Sequence, residues 1–176
     1  MIRDIEQIRD ETAKRQVQGL MNRMLTAPKA KGMDDVRVLY VDGDDKAALA
    51  DGMRRLGEER NKPGLVRDAA NVDKAAALVV LGAKPLVMNL DCGMCGAETC
   101  DGAKQRDLNC VYPIADLGIA IGSGVSAAAD LGLDNRVMYS IGLAALKANL
   151  FGDPAVRCAL GIPFGVSSKN VFFDRK

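Results

Sequence analysis

The sequence contains no histidine and no tryptophan, and aromatic residues make up only 4% of its 176 residues. Without histidine, the chain has no Ser-His-Asp triad, no histidine-ligated zinc and no imidazole acid–base catalyst. Any general acid or base must therefore be a carboxylate, Lys, Tyr or Cys, or belong to a bound cofactor. The scarcity of aromatic rings also argues against a platform on which nucleic-acid bases stack.

The sequence also lacks an excess of either charge and lacks a long apolar run. Lys and Arg number 24 against 23 for Asp and Glu, so we expect no basic surface for nucleic acid or an anionic membrane. No 18 consecutive residues are apolar, and the charged N-terminal segment lacks the apolar core of a signal peptide. We therefore predict a cytoplasmic protein with no nucleic-acid partner and no membrane partner.

Length and periodicity predict a single α+β domain over residues 1–176, with a helix-rich body and a small sheet. Nearly half of the residues are apolar, which is enough for a proper core. Apolar residues at helical spacing predict helices over 3–25, 66–74 and 113–132, one after Asp44 or Asp45, and one from Asp134 or Asn135 to about Leu150. Short apolar runs predict strands over 36–41, 76–81 and 155–160, the last ended by residues 161–163.

The predicted helix over 113–132 carries a face made only of small residues. These are Ala115, Gly118, Gly122 and Ser126. A helix that is apolar nearly all round should be central and closely packed. Residues 122–127 match G-x-G-x-x-A, but they follow a helix start and not a strand, so we interpret them as close helix packing. Together with the two aromatic residues of the C-terminal tail, this helix predicts a homodimer.

Four of the five cysteines fall within 19 residues and have the spacing C-x2-C-x4-C-x9-C. They are Cys92, Cys95, Cys100 and Cys110. The C-x2-C step lets two thiolates face one metal from a tight turn, and Gly93 and Gly96 free the backbone to point amides at sulfur. Four thiolates without histidine suit a [4Fe–4S] cluster, a [2Fe–2S] cluster or a structural zinc. Residues 90–112 are therefore the predicted metal-binding segment.

The spacing favours a cluster over zinc, because four-cysteine zinc sites usually have two C-x2-C pairs and this segment has one. Disulfides are less expected in a reducing compartment. The segment is polar and Gly-rich, which disagrees with four cysteines that act only as small hydrophobic residues. Met94, Ala97 and Val111 are candidates to shield the site from water, and Cys158, in an apolar run, is interpreted as a core residue.

Several stretches resemble an uncharacterised prokaryotic family described as ferredoxin-domain-containing proteins. They are TAPKAKGMDD, RDAANV, CGMCGAETC, DLGIAIGSGVSAAADLGLDNRVMYSIGLAAL and GIPFGVSSKNVFFDRK. The resemblance runs through nearly the whole chain, and it implies a fold and an iron–sulfur cluster more than an activity. The segment from Cys92 to Cys110 also resembles the short four-cysteine [4Fe–4S] domains of anaerobic electron-transfer and corrinoid proteins.

A weaker resemblance is to FMN-dependent nitroreductases. The helix, Ala-Pro turn and strand over 24–41 are similar to the way those proteins begin, and the helix over 113–132 followed by GLDNR resembles their central dimer helix. The resemblance implies a nitroreductase-like body, a dimer and bound FMN. An anionic phosphate needs cationic partners, and the candidates are Lys29, Lys31, Lys169 and Arg175. The usual Ser and Asn after the turn are replaced here by residues 29–32, and no N-terminal arginine pair is evident.

These observations predict an iron–sulfur redox protein that transfers electrons through a [4Fe–4S] cluster. Its counterpart would be a redox partner protein, a small-molecule substrate or a bound flavin. Two alternatives stay open: a structural or redox-sensing protein in which zinc or a cluster only fixes a loop, and an FMN-dependent reductase of a small oxidised substrate. The sequence identifies no catalytic residue, and enzymatic activity as an oxidoreductase stays open with it.

Overall fold

A four-stranded antiparallel sheet lies between two layers of helices. The computed structural model describes residues 1–173. The strands are β1 (Val36–Val41), β2 (Ala77–Ala83), β3 (Asp134–Asn135) and β4 (Cys158–Gly165). Their order in the sheet is β1-β2-β4-β3, and every neighbouring pair is antiparallel. The helices are α1 (Arg9–Leu25), α2 (Gly43–Glu59), α3 (Pro63–Lys74), α4 (Cys100–Gln105), α5 (Val111–Asp130) and α6 (Tyr139–Lys147), and short 3₁₀ turns occupy Ile5–Gln7 and Ala30–Gly32.

Strand β2 supplies both hydrophobic cores. All of its residues are buried, and successive side chains of a strand point to opposite faces. Val79 and Leu81 pack in one core with α1 and α5. Leu78 and Val80 pack in the other with α2, α3 and α6. This two-sided burial explains why the sequence of β2 reads as an uninterrupted apolar run.

Two glycines allow helices to approach their neighbours closely. A Cβ atom on Gly142 of α6 would lie 1.8 Å from the carbonyl oxygen of Ala159 in β4. A Cβ atom on Gly124 of α5 would lie 2.1 Å from the Cε of Met24 in α1. Gly124 belongs to the G-x-G-x-x-A stretch, so the interpretation of that stretch as a helix-packing element is confirmed.

The boundary of the last strand differs from its prediction. Strand β4 begins at Cys158 and continues through Pro163 to Gly165, whereas the sequence suggests that residues 161–163 end it. Gly161 donates its N–H to the Met138 carbonyl, so Pro163, two residues later, faces the same side of the strand. On that side β3 pairs only with Phe164 and Gly165, and the missing N–H of Pro163 therefore leaves no ladder bond broken.

The region after α5 also differs from its prediction. Asp134 and Asn135 form the short strand β3 and do not cap a helix, since α6 begins only at Tyr139. The Asp134 carboxylate accepts a hydrogen bond from the Ser167 hydroxyl at 2.8 Å. This contact joins residues that are far apart in the sequence, which is why the local pattern suggested a cap instead.

Helix α5 is less enclosed than its composition predicts. Leu117, Ile121 and Gly124 are buried, but the small-residue face is exposed along its whole length. By length and composition, α5 is also the one helix among residues 1–173 that is apolar enough to cross a membrane, a test that core helices of folded proteins pass as well. The expectation of a central, closely packed helix is confirmed for the face that packs on α1 and the sheet, whereas the small-residue face is open in the single chain.

The close approach of α6 to β4 requires glycine at position 142. We expect Gly142→Ala to lower the free energy of unfolding by about 1–3 kcal/mol or more, because its Cβ would overlap backbone atoms of β4. The matched control is Gly19→Ala in α1, where a Cβ meets nothing within 4 Å. That control should stabilise the helix by about 0.5–1 kcal/mol. Urea unfolding followed by circular dichroism measures both effects, and an unchanged Gly142→Ala midpoint would contradict this packing.

Candidate metal centre

The four clustered cysteines line one small cavity. Cys92 is exposed, Cys95 and Cys100 are half-buried, and Cys110 is buried. The cavity lies between the segment that follows β2 and the start of α5. The structure therefore brings together all four residues that the sequence predicts as metal ligands.

The backbone between Cys92 and Cys95 curls through a tight turn. The Gly96 N–H donates to the Gly93 carbonyl at 2.9 Å. Gly93 has φ +71° and Gly96 has φ +83°, a region that glycine adopts without steric cost. The prediction that these glycines let the C-x2-C step curl is confirmed.

Cys100 is held by Asp91. The Asp91 N–H donates to the Cys100 sulfur at 3.2 Å, and the Asp91 carboxylate accepts the Cys100 N–H at 2.6 Å. An amide does point at a cysteine sulfur, as predicted, but it comes from Asp91 and not from a glycine. Sequence reasoning missed Asp91. Its signal is an Asp, which tolerates positive φ and accepts hydrogen bonds from backbone amides, directly before the first cysteine.

Cys110 connects the site to the sheet. Its N–H donates to the carbonyl of Pro85, just beyond β2, at 3.0 Å. It is also the N-cap residue of α5, whose first turn has no side-chain cap. Cys110 therefore stands where the cysteine segment joins both the sheet and α5.

The donor set suits a cluster of several irons. The lining contributes four sulfur atoms, and the chain contains no histidine. Within residues 1–173, no group of three or more Cys, Asp or Glu side chains is arranged to hold a single metal ion. Four cysteine thiols are a donor set that iron–sulfur clusters and structural zinc sites share.

The cavity has a partly apolar wall. Ala97 is buried and, with Val111, lines the cavity as predicted. Met94 is 61% exposed and does not line it, because it occupies the outer corner of the turn between Gly93 and Gly96. Its prediction as a shielding residue is wrong. The apolar lining that the sequence did not reveal includes Val87, Met88, Leu90 and Ala103.

The candidate phosphate partners among the described residues have different surroundings. The amine of Lys29 donates to the carbonyls of Leu25 and Ala27, at 2.6 and 3.1 Å, and only 11% of the side chain is exposed. The amine of Lys31 donates to the carbonyl of Met88, a lining residue, at 3.2 Å. Lys169 lies exposed in the C-terminal tail. Arg175 lies outside the described residues.

The fifth cysteine stands apart from the cavity. Cys158 begins β4 and packs, half-buried, against the core that contains α1 and α5. Burial raises the pKa of its thiol, which keeps it protonated near neutral pH. The expectation of a core residue is therefore confirmed, with the qualification that its burial is partial.

Comparisons with known proteins agree with these features. Residues 106–175 match the family model described as "Uncharacterized protein containing a ferredoxin domain (DUF2148)"; this range includes Cys110 but not the first three cysteines. An uncharacterized protein of Archaeoglobus fulgidus is 38% identical over 159 residues, which cover 85% of this chain and 84% of that protein.

The fold is that of nitroreductases. Nitroreductase A of Vibrio parahaemolyticus superposes with a TM-score of 0.60 at 17% identity over 93% of this chain, which spans only 62% of that protein's length. A nitroreductase with bound FMN from Desulfitobacterium hafniense superposes with a TM-score of 0.61 at 16% identity, over 88% of this chain and 78% of the other. The extent of the Archaeoglobus match and the family model place this chain in the family of uncharacterized proteins that contain a ferredoxin domain.

Proposed function

We propose that this protein is an iron–sulfur redox protein that carries electrons on a [4Fe–4S] cluster held by Cys92, Cys95, Cys100 and Cys110. The observation that supports the proposal is the convergence of these four thiols on one cavity. Membership of a family that contains a ferredoxin domain supports it independently. The electrons would pass to or from a redox partner protein or a small molecule in the cytoplasm.

Each part of the site has its own task in this proposal. When bound, the cluster supplies one-electron chemistry. Cys110 is buried and fixed to the sheet through Pro85, so it anchors the cluster to the body of the protein. Cys92 is exposed, which leaves one edge of the site close to an approaching partner. Ala97 and Val111 keep water from the inner wall.

The metal content of protein purified without oxygen tests the proposal directly. We expect about four irons and four sulfides per chain, with a brown colour that dithionite bleaches. Changing any of the four lining cysteines to alanine should reduce the iron content, because each would remove one ligand. The matched control is Cys158→Ala, which changes a cysteine outside the cavity and should retain the iron of the wild type.

The alternative outcomes of this experiment separate the functional classes. One zinc per chain and no colour would replace the redox proposal with a structural role for the cysteine loop. A cluster that forms but resists dithionite would favour a structural cluster over electron transfer. Equal iron loss in Cys158→Ala and in the four lining variants would contradict the assignment of the ligands.

A flavin-dependent reductase is the second candidate function, favoured by the likeness of the fold to a nitroreductase that binds FMN. The described cations give it little support, because the amine of Lys29 donates to the carbonyls of Leu25 and Ala27 and that of Lys31 donates to the carbonyl of Met88. A dimer could complete such a site with residues from a second chain. The redox proposal does not depend on this cofactor.

Flavin release on denaturation tests this second function. After expression with FMN supplied, we expect clearly less than one flavin per chain by fluorescence of the heated supernatant. The reason is that the amine of Lys29 is already hydrogen-bonded to two carbonyls. A stoichiometric yield would establish the flavin function. Its selective loss in Lys31→Met or Lys169→Met would then identify the phosphate partner.

We further propose that two chains pair through the open face of α5. The exposed small residues of this face include Ala115, Gly118 and Gly122. The helix carries no charged residue between Asp116 and Asp130. Beside the small residues, 38% of Ile114 and 46% of Ile119 are exposed. Small residues let two helix backbones approach closely, and the isoleucines add apolar area. Contiguous apolar faces of this kind mark protein interfaces.

Sedimentation at micromolar concentration tests the pairing. We expect a species of twice the 18.7 kDa chain mass. Ile119→Glu should convert it to a monomer, because the dimer would bury two unpaired carboxylates. Ala48→Glu places the same charge on an exposed position of α2 and should leave the dimer intact. A monomeric wild type would contradict the pairing.

A further inference from the structure

Asp91 is hydrogen-bonded to Cys100 at two points, although the two residues are nine positions apart in the sequence. Its carboxylate accepts the Cys100 N–H at 2.6 Å, and its own N–H donates to the Cys100 sulfur at 3.2 Å. Asp91 has φ +45°, a conformation that Asp and Asn adopt more readily than other residues with a side chain. This conformation directs both groups of one residue toward the same cysteine.

The carboxylate contact is separate from the capping of α4. Thr99 is the N-cap of that helix, and its hydroxyl accepts the Gly102 N–H at 3.1 Å. The Cys100 N–H is therefore left for Asp91. A hydrogen bond between a backbone amide and a carboxylate is charge-assisted and stronger than a neutral one. It fixes the backbone at Cys100 and with it the direction of the thiol that lines the cavity.

The second contact bears on the chemistry of the sulfur. Hydrogen bonds to ligand sulfurs and the net charge around a cluster are two of the factors that set its reduction potential. Asp91 contributes to both, with opposite effects. Its N–H withdraws electron density from the Cys100 sulfur, whereas its carboxylate adds a negative charge beside the site.

We propose that Asp91 is a positioning residue that holds Cys100 for the cluster and tunes the reduction potential at that corner of the site. The tuning of the potential rests on the proposed function, because it requires a bound cluster. The positioning of Cys100 can be tested without a cluster, through the hydrogen exchange of its amide. Two substitutions separate the effects of Asp91. Asp91→Asn keeps an acceptor oxygen and the tolerance of positive φ but removes the charge. Asp91→Gly keeps the backbone conformation and its N–H but removes the acceptor.

The chain offers a matched control in the same segment. Asp107 also has a positive φ, +49°, and its carboxylate is also engaged, in this case by Arg157 at 2.6 Å. It does not line the cavity. Asp107→Gly therefore removes a carboxylate from a left-handed residue of the cysteine segment without removing a contact to a cysteine.

The rate of iron release and the midpoint potential are measured on the anaerobically purified proteins. Asp91→Gly should release its iron to a chelator about tenfold faster than the wild type, in the range that outer contacts to ligands usually contribute. Asp91→Asn should release it at nearly the wild-type rate. Its midpoint potential, titrated with dithionite, should nevertheless become more positive, because a negative charge is gone. Asp107→Gly should match the wild type in both.

The third readout needs no metal. Hydrogen exchange of the Cys100 amide, localised by fragmentation mass spectrometry, should be slow in the wild type and in Asp91→Asn. It should be at least tenfold faster in Asp91→Gly alone. Equal exchange in Asp91→Gly and Asp107→Gly would overturn the positioning role, whether or not iron is bound. Unchanged potentials in both Asp91 variants would overturn the tuning role. A wild type without iron would refute the proposed function, and the exchange result would then decide the inference alone.

Discussion

Strand β2 is buried on both faces, so its backbone groups can be satisfied only by pairing with β1 on one side and β4 on the other. This pairing fixes the point at which β2 ends. Immediately beyond it, the Lys84 N–H donates to the Asp35 carbonyl, and the Lys84 amine pairs with Asp153 at 2.5 Å. The next carbonyl, that of Pro85, receives the N–H of Cys110. The cysteine site is therefore attached to the most enclosed element of the fold.

The four cysteines differ in what holds them. Cys110 is part of the folded body through Pro85 and α5. Cys92 and Cys95 lie in the segment without regular structure between β2 and α4, and Cys100 is the first residue of α4; a turn and Asp91 hold this part of the chain. The binding free energy of a metal group stabilises only the conformation in which the cysteine segment is ordered. We therefore expect metal binding to order mainly this segment, because the sheet and its two cores are stabilised by their own apolar burial.

The parts of the structure that the sequence predicts are those set by short-range pattern. Strand β1 was predicted residue for residue, because its apolar run lies between clear breaks in the chain. The glycine turn and the clustering of the cysteines follow from local spacing in the same way. The extension of β4 past Pro163 and the hydrogen bond from Ser167 to Asp134 depend on residues that are far apart in the sequence, so local pattern does not reveal them. The bond from Asp91 to Cys100 spans only nine positions, but it depends on the positive φ of Asp91, which the sequence pattern does not specify.

The open face of α5 shows how composition can mislead about burial. An apolar helix suggests enclosure, but a single chain covers only the side that packs on α1 and the sheet. Ile114 follows Cys110 by four residues, and residues at this spacing lie on the same side of a helix. A second chain that covered Ile114 would therefore stand beside the buried end of the cysteine site. In that case the pairing of two chains and the exclusion of water from the cavity would depend on the same helix, and a substitution that separates the chains should also change how readily the site is reached by solvent.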